Sequence, residues 1–350
     1  MGKLLKYLGF TLLGILSAAV LFVAYLSITE FKPDAVEAAA VNSISETETL
    51  KLGSELDILI WNIGYGGLGK ESDFFMDGGK NVKSADINTV AINIDSMTKK
   101  TVDLSPDILM LQEVDSNSSR SYSIDQRSNF AFGKSSYALN YSCDFVPFPL
   151  PPIGKVNSGI MTSSAVDVDS AERHALPCPF SWPVSTANLK RGLLLSYLPI
   201  DGSDKQLVII NLHLEAYDDG EGKIAQTKQL RELMLKEYEK GNYVIAGGDF
   251  NQSFPHALES YPNKHPELWL PGTLDNSLLP EAWCYAYDLN IPSCRLLNQP
   301  YNPADIDNTQ HYVIDGYILS PNVELLSVET IDLGFEYSDH NPVSVKVKLK

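Results

Sequence analysis

A series of short apolar runs constrains the fold of this chain more than any other feature. The runs are rich in Ile, Val, Leu and Tyr and are bounded by Gly, Pro, Asp or Asn, a pattern that predicts buried β-strands. Apolar residues at helical spacing predict two helices between them, at residues 85–102 and 222–240. Many strands with few helices favour two packed sheets with helices outside. The strand-like runs lie at residues 56–61, 108–111, 159–161, 193–197, 207–212, 243–246, 313–319 and 343–347.

Length and charge narrow the class of protein. At 350 residues the chain can form one large α/β domain with a sizeable core. The formal net charge of −17 opposes non-specific binding to long nucleic acid, because such binding depends on Lys and Arg that neutralise phosphates. A bound cation would offset part of this charge locally. The acidity therefore weakens the case for a nucleic-acid substrate without excluding it.

The N-terminal segment has the length and composition of a membrane-spanning helix. Lys3 and Lys6 precede an uncharged apolar run at residues 7–29, and about 20 apolar residues cross a bilayer core. Lysines before the run and acidic residues after it predict an N-terminus inside the cell and the bulk of the chain outside. We predict that residues 1–30 form a single-pass signal anchor in the cell membrane. A cleaved signal peptide, which would give a secreted protein, is an alternative, although the nearest run of small residues, at 38–40, lies well beyond the apolar segment. A core helix is a further alternative.

The segment after the apolar helix and two stretches of the remaining chain lack the periodicity of helices or strands. Residues 31–54 are predicted to be a flexible tether, because Pro, Ala, Ser, Thr and Glu occur there without periodicity. Residues 55–350 are predicted to form the folded domain. Within it, the stretches 145–152 and 255–303 are predicted to be long surface excursions, of the kind that often carry binding loops.

The cysteines leave the redox state open. An exported domain permits disulfides, and Cys284 and Cys294 are close enough in sequence to close a short loop. Cys143 with Cys178 would complete the set, but the sequence cannot choose among the possible pairings. Free buried thiols are an equal alternative.

Polar residues stand at or just after the ends of the strand-like runs. Ligand sites in layered α/β proteins gather at strand ends, so these side chains are expected to converge on one pocket. The residues are Asn62, Glu113, His213, Asp249, Asn251, Asp315, Asp339 and His340.

This set of side chains suits the hydrolysis of a phosphate ester. Hard oxygen ligands hold Mg²⁺ or Mn²⁺, and such a metal polarises a phosphoryl oxygen. A carboxylate or an imidazole can activate water as a general base, while amide and imidazole donors stabilise charge on the phosphate oxygens. Zinc fits less well, because the sequence has no His-x-x-x-His pattern and no cysteine cluster.

Together these motifs resemble the endonuclease/exonuclease/phosphatase superfamily, which includes DNase I-like nucleases, apurinic-site endonucleases, neutral sphingomyelinases and inositol polyphosphate phosphatases. The motifs follow the family's order from about residue 56 to the C-terminus; each is weak alone and the ordered set is strong. The resemblance implies an α/β (α+β) fold of four layers, with two mainly antiparallel sheets flanked by helices. The motifs are Asn62, Gln112-Glu113-Val114-Asp115, Asn211-Leu212-His213, Gly248-Asp249-Phe250-Asn251 and Ser338-Asp339-His340.

The resemblance also implies which residues bind the metal. Glu113 would be the principal ligand of Mg²⁺ or Mn²⁺, with Asn62 beside it. Asp339 would contribute to the same metal or to a second one.

The remaining matched residues would have catalytic roles by the same resemblance. Asp249 would orient or deprotonate the attacking water, and Asn251 would hydrogen-bond the phosphate. His340 would contact the scissile phosphate or serve as base, with Asp315 fixing its tautomer and orientation. His213 would hydrogen-bond a phosphate oxygen or help to protonate the leaving group.

Other features match the family less directly. The glycine-rich residues 62–69 could admit a phosphate close to backbone amides, or could form a flexible turn. The motif at 74–79, Phe-Phe-Met-Asp-Gly-Gly, has no counterpart that we can assign. Arg120 and Arg191 are candidates for binding substrate phosphate through a guanidinium fork; a structural ion pair is the alternative for each.

The sequence therefore predicts a divalent-metal-dependent hydrolase of phosphoric esters that acts outside the cell. An endonuclease-like phosphodiesterase is the leading interpretation. A lipid head-group or small-molecule phosphodiesterase or phosphatase is the alternative, and it fits the acidity and the membrane helix. A non-catalytic surface module that retains the fold would have lost ligand residues, and none of the expected ones is missing.

Overall fold

The structure, a computed structural model, describes residues 2–83, 85–218 and 220–350. Short 3₁₀ turns join several of its regular elements. The α-helices are α1 Gly2–Ile28, α2 Ile87–Leu104, α3 Arg127–Phe130, α4 Glu221–Glu239 and α5 Ala257–Ser260. The strands are β1 Val36–Ala39, β2 Val41–Ser43, β3 Leu50–Lys51, β4 Glu55–Asn62, β5 Ile108–Asp115, β6 Lys134–Val146, β7 Gly154–Ser164, β8 Ser170–Ala175, β9 Gly192–Asp201, β10 Gln206–His213, β11 Tyr243–Asp249, β12 Gln252–Ser253, β13 Gly272–Thr273, β14 Cys284–Ala286, β15 Cys294–Arg295, β16 His311–Tyr312, β17 Asp315–Leu319, β18 Val323–Thr330 and β19 Val343–Leu349.

Most strands belong to two large sheets. Sheet I has the order β18-β19-β4-β5-β7-β6-β2, and sheet II has the order β1-β8-β9-β10-β11-β17-β14 with β3 beside β9. Within these sheets β4–β5, β10–β11 and β3–β9 are parallel, and the other neighbours are antiparallel. Helix α2 connects β4 to β5, and helix α4 connects β10 to β11. Each sheet therefore has a β-α-β unit at its centre.

The two sheets pack face to face with helices outside, which gives four layers. Ile58 of β4 and Ile209 of β10 belong to the apolar core between the sheets. Ile94 of α2 packs with Trp61 on the outer face of sheet I, and Met234 of α4 packs on the outer face of sheet II. The apolar runs thus form strands and the two helical patterns form α2 and α4. The predicted fold class, a four-layer α+β sandwich, is confirmed.

A buried pair of amides joins the centres of the two sheets. Gln112 of β5 donates through Nε2 to Oδ1 of Asn211 in β10 at 2.8 Å. Asn211 Nδ2 in turn donates to the backbone oxygens of Met161 at 2.8 Å and Leu111 at 3.2 Å. Both amides are fully buried. Buried polar groups need such partners, so the pair fixes how the two β-α-β units face each other.

The prediction of a flexible tether at residues 31–54 is wrong for most of that segment. Strand β1 pairs with β8 of sheet II, β2 pairs with β6 of sheet I, and β3 pairs with β9. Main-chain hydrogen bonds hold these edge strands, so they need no apolar periodicity, and Leu50 is buried. The folded unit therefore begins before residue 55.

The stretch 255–303 is also not only a surface excursion. Strand β14 extends sheet II, and β15 pairs with β16 beside the site described below. Arg295 in β15 is buried because backbone carbonyls surround its guanidinium. The stretch 145–152, by contrast, contains the exposed apolar side chains Phe148 and Leu150.

All four cysteines lie in described parts of the chain and are free thiols. Cys143 and Cys294 are buried, Cys284 is half-buried and Cys178 is exposed. The structure thus corresponds to the alternative without disulfides.

Helix α1 projects from the sandwich for most of its length. It is long and apolar enough to cross a membrane over Lys3–Ile28, and almost none of that span is buried. A core helix would be mostly buried, so that alternative is excluded. A membrane anchor and a signal sequence both remain compatible with an exposed N-terminal apolar helix.

We expect Asn211→Ala to lower the free energy of unfolding by about 2–4 kcal/mol. The substitution removes the 2.8 Å acceptor of Gln112 Nε2 and the amide that donates to the Met161 and Leu111 carbonyls, and the loss of a buried hydrogen-bond partner costs about 1–3 kcal/mol. Urea unfolding of the full chain in detergent, followed by tryptophan fluorescence, measures the change. Asn88→Ala, at an exposed position of α2, is the matched control and should change stability by about 0.5 kcal/mol or less. Equal midpoints for the two variants would show that the amide pair does not hold the sheets.

Candidate active site

The residues predicted to form the site come from the carboxyl ends of the two parallel strand pairs. Asn62 ends β4, and Glu113 lies near the end of β5. His213 ends β10 and Asp249 ends β11, where the two are register partners. Parallel neighbours present their carboxyl ends at one edge of a sheet, and the packed sheets bring the two edges together.

Asn62 lies between carboxylates from both sheets. Its Nδ2 donates to Asp249 Oδ2 at 3.0 Å and to Glu113 Oε1 at 3.4 Å. Its Oδ1, the atom that a metal would require, accepts from the Gly64 amide at 3.1 Å. The Asn62 side chain thus links Glu113 of sheet I to Asp249 of sheet II.

Glu113 is turned toward this cluster by a bulge in β5. The register of β5 against β7 shifts between Leu111 and Val114, and Glu113 has a φ of 56°. A left-handed conformation at a residue other than glycine costs on the order of 1–3 kcal/mol and recurs at functional sites. The bulge leaves the carboxylate at the wall of a cavity, with 23 % of its side chain exposed.

His340 and Asp315 form a hydrogen-bonded pair. His340 Nδ1 lies 2.9 Å from Asp315 Oδ2, and Ser293 Oγ donates to the same oxygen at 2.7 Å. His340 Nε2 faces the cluster, 3.8 Å from Asp249 Oδ2 and 3.9 Å from Asp339 Oδ2. Burial lowers the pKa of His340, but the negative charges of Asp315 and Asp339 outweigh it and raise this pKa well above its ordinary value. His340 therefore carries a proton on the pocket side.

Buried carboxylates crowd the site. Burial raises the pKa of Asp249 to about 7, the charge of Asp315 adds to the shift, and His340 and Asn62 oppose it. Burial likewise raises the pKa of Asp339 to about 6, with His340 lowering it and Glu113 raising it. The protein side chains thus leave negative charge that is only partly compensated.

The side chains next to Asp249 hold it in place. The backbone N–H of Asn251 donates to Asp249 Oδ1 at 2.8 Å, while the side-chain Nδ2 of Asn251 donates to the backbone oxygen of Leu214. His213 Nε2 lies 3.4 Å from Asp249 Oδ2. Burial, with Arg191 and His340 nearby, places the pKa of His213 well below its ordinary value, so its imidazole is neutral.

The two predicted arginines both lie at the cavity and both bond protein groups. Arg120 donates to both carboxylate oxygens of Asp115, at 3.1 and 3.0 Å, and its Nη1 lies 3.9 Å from Glu113 Oε2. Arg191 donates to Glu215 Oε2 at 3.2 Å and to the His213 oxygen at 3.1 Å. The structural ion pair expected as an alternative exists in each case, at a position next to the site.

Several residues of the site could not be found from the sequence. Cys294 Sγ lies 3.5 Å from His340 Nε2, and the backbone N–H of Arg295 donates to the backbone oxygen of Asp339 at 3.0 Å. Both lie in a stretch without strand-like periodicity. Their only local signal is a Cys-Arg pair between a proline and two leucines, which also suits an ordinary loop.

The glycine-rich loop after β4 packs directly against the site. Gly64 has a φ of 48°, and a Cβ there would lie 3.0 Å from Asp339 Oδ1. A larger residue would displace Asp339, so the loop requires glycine for close packing. Asp77, in the unassigned motif at 74–79, is buried and accepts from the Tyr217 hydroxyl at 2.7 Å.

The described residues contain two close groups of possible metal ligands: Asp249, Asp315 and His340, and Cys294, Asp339 and His340. In the first group His340 is already paired with Asp315. In the second group one ligand is the thiol of Cys294, a soft donor that suits Mg²⁺ and Mn²⁺ poorly.

Asp339, Glu113 and Asn62 fit a hard divalent cation better. The two carboxylates supply the oxygen donors that Mg²⁺ and Mn²⁺ prefer, and Asn62 would supply Oδ1 once its amide turned away from the Gly64 N–H. The raised pKa of buried Asp339, to which Glu113 contributes, marks negative charge that a cation would neutralise. The residues present therefore fit such a metal.

The fold and the site together define a phosphoesterase of the DNase I-like class. A model of the Endonuclease/Exonuclease/phosphatase family matches residues 59–340, and the chain belongs to that family. Members of the family are metal-dependent phosphoester hydrolases, and this chain has a buried Asp and His site in the matched region. A search among proteins with curated descriptions finds no match.

Solved structures share the fold at low sequence identity. An endonuclease/exonuclease/phosphatase from Beutenbergia cavernae has a TM-score of 0.53 and 14 % identity, over 84 % of this chain and 72 % of that one. A family protein from Bacteroides vulgatus has a TM-score of 0.52 and 15 % identity, over 85 % of this chain and 100 % of that one. One from Bacteroides thetaiotaomicron has a TM-score of 0.52 and 14 % identity, over 85 % of this chain and 99 % of that one.

We expect iodoacetamide at pH 8 to modify Cys178 in the folded protein and to leave Cys294 unmodified. Cys178 is exposed, whereas Cys294 is buried, and a pKa of about 12 leaves about one thiolate in ten thousand at this pH. Peptide mass spectrometry with and without urea measures the labelling, and Cys178→Ser is the control for site assignment. Rapid labelling of Cys294 without urea would contradict the closed packing around His340.

Proposed function

We propose that this protein is a divalent-metal-dependent phosphodiesterase. One observation carries the proposal: two sheets deliver Asn62, Glu113, Asp249 and Asp339 to one cavity, where His340 Nε2 faces Asp249 and Asp339. Such a concentration of carboxylates is costly unless a cation shares the site, and a bound cation can in turn hold an anionic phosphate. A phosphate-ester substrate bound through a metal fits this arrangement.

Glu113, Asp339 and Asn62 would hold Mg²⁺ or Mn²⁺. A cation bound there would polarise a phosphoryl oxygen and steady the departing oxygen. Binding of the cation would also compensate the negative charges of Glu113 and Asp339.

Asp249 is proposed to accept the proton of the attacking water. A carboxylate with a pKa of about 7 is well matched to proton transfer near neutral pH. The water oxygen bonds to phosphorus, the phosphorus–oxygen bond to the leaving group breaks, and the leaving oxygen takes the bonding electron pair. Asn62 and His213 contact Asp249 Oδ2 and would orient it.

His340 is proposed to stabilise negative charge on the phosphoryl oxygens. Its Nε2 faces the cavity while Asp315 fixes Nδ1, so the charged imidazole is held in one orientation. The neutral His213 and the Asn251 amide would donate to phosphate oxygens. Arg120 and Arg191 would add positive potential at the cavity wall.

The substrate follows less directly from this geometry. An endonuclease-like phosphodiester is the interpretation that the motifs favour. The apolar part of the cavity lining favours a lipid phosphodiester.

We also propose that α1 anchors the chain in the cell membrane with residues 55–350 outside the cell. The basic residues before the apolar helix and the acidic ones after it support this orientation. A secreted form without α1 is the alternative.

Hydrolysis of bis(p-nitrophenyl) phosphate by the purified full chain tests the activity. We expect turnover with Mg²⁺ or Mn²⁺ and none with EDTA, and we expect Glu113→Gln to reduce kcat/KM by at least about 100-fold, because a lost metal ligand costs more than a lost outer contact. Glu239→Gln, which changes an exposed carboxylate at the end of α4, should have no effect.

Calorimetry gives a second measurement that does not depend on turnover. Mg²⁺ or Mn²⁺ should bind saturably to the native chain and to Glu239→Gln, and far more weakly to Glu113→Gln. A chain that binds neither cation and hydrolyses no ester would be a binding module rather than an enzyme.

Membrane topology can be measured through Cys178. A maleimide that cannot cross membranes should label this exposed thiol in intact bacterial spheroplasts, and Cys178→Ser should remove the label. The chain should remain in membranes after alkaline carbonate, whereas Leu12→Lys with Leu16→Lys should release it, since each charge costs several kcal/mol in a bilayer. Recovery of a soluble chain lacking α1 would identify a cleaved signal sequence instead.

A further inference from the structure

The cavity at the site extends well beyond the catalytic cluster. Its volume is about 620 Å³, in the range of pockets that enclose small organic ligands. Asp249, Asp339 and His340 lie in its lining together with many apolar side chains. The cavity therefore has a polar inner part at the catalytic cluster and an apolar outer part. We call this whole cavity the corridor.

Three loops form the apolar outer part. Phe74 and Phe75, from the motif that matched no family feature, lie on one side. Phe148 of the β6–β7 connection packs edge-to-face against Phe75, with ring centroids 6.2 Å apart, and Val146 at the end of β6 also lines the cavity. Val184, from the loop between β8 and β9, completes these walls.

The C-terminal end of α1 forms a further wall. Phe22 and Leu26 line the corridor, and Leu26 is buried in an apolar cluster of the sandwich. Trp182 Nε1 donates to Ser27 Oγ at 2.9 Å. The apolar helix thus ends at the corridor.

The rim around the end of α1 is exposed and apolar. Phe148, which lines the cavity together with Leu26 of α1, is 70 % exposed, and Trp182, which bonds Ser27 of α1, is 64 % exposed. Large apolar side chains grouped in this way mark contact with a partner or a membrane. Because they surround the end of an exposed 27-residue apolar helix, a bilayer that receives α1 would also receive this rim.

Cations that could follow a nucleic-acid strand are scarce in the corridor. Among its described lining residues the Lys and Arg side chains are Arg120, Arg191 and Arg295. Each is bonded to a protein acceptor, two of them to carboxylates. The corridor therefore has a place for one phosphate, at the catalytic cluster, and an otherwise apolar surface. Such a lining does not suit a polyanion such as nucleic acid.

We propose that the substrate is a membrane lipid phosphodiester, with its phosphate at the catalytic cluster and a hydrocarbon chain in the corridor. The inference rests on the proposed function, whose site would hold the phosphate. The chain would reach the corridor from the bilayer at the end of α1. Burial of each methylene contributes about 0.8 kcal/mol, so a long chain can supply much of the binding energy.

Two p-nitrophenyl diesters that differ only in the second ester test the proposal. We compare p-nitrophenyl methyl phosphate with p-nitrophenyl hexadecyl phosphate, using the full chain in nonionic detergent micelles with Mg²⁺ or Mn²⁺. In both, water attacks phosphorus and p-nitrophenolate leaves with the bonding electron pair, giving methyl or hexadecyl phosphate. We expect kcat/KM to be at least about 100-fold higher for the hexadecyl ester.

Micelles can favour a long-chain ester by concentrating it, so corridor variants decide the question. Phe148→Ser with Val184→Ser removes apolar surface at exposed positions and should reduce the hexadecyl-to-methyl ratio by at least about tenfold. Ile224→Ser, at a similarly exposed position of α4 outside the corridor, should leave the ratio unchanged. Calorimetry with the product hexadecyl phosphate in the same micelles should show weaker binding to the double variant only.

The outcomes separate this inference from the proposed function. Hydrolysis of both esters with equal ratios for the double variant and Ile224→Ser would overturn the corridor and leave a phosphodiesterase. Preference for thymidine p-nitrophenyl phosphate, with inhibition by DNA, would identify a nuclease and overturn the lipid substrate. Hydrolysis of no ester with either metal would overturn the proposed function and the inference with it.

Discussion

The buried amide pair of Asn211 and Gln112 is the contact on which the rest of this molecule depends. It joins β10 to β5 at the point where the two β-α-β units face each other. Polar residues at the carboxyl ends of those strands meet only if the sheets keep this alignment. A shift of one sheet along the other would break the contact of Asn62 in sheet I with Asp249 in sheet II.

The site combines conformational strain with unfavourable charge. Glu113 and Asn251 both have a positive φ, and buried carboxylates lie within a few ångströms of one another. Such features lower stability and persist when the surrounding structure overdetermines them. Here Asp115 with Arg120 on one side and Ser293 with Asp315 on the other supply that support.

The sequence predicts the central part of the molecule well because the signals there are local. Apolar runs identify β4, β5, β10 and β11, and a polar residue after each run identifies the site edge. It does not predict β1–β3, because main-chain pairing at a sheet edge leaves no side-chain pattern. Nor does it predict the burial of Arg295 or the packing of Leu26, since each depends on partners more than 100 residues away in the sequence.

The position of β1 also determines what proteolytic removal of the N-terminal helix would do to the fold. The alanines at 38–40, the nearest run of small residues after the apolar helix, overlap β1 Val36–Ala39, which is paired with β8. A peptidase that cut after Ala40 would remove this strand, and Leu26 with it, and would leave the edge of sheet II unpaired. Unpaired sheet edges invite self-association. Cleavage within that run of small residues would therefore remove an edge strand of the sandwich together with the apolar helix.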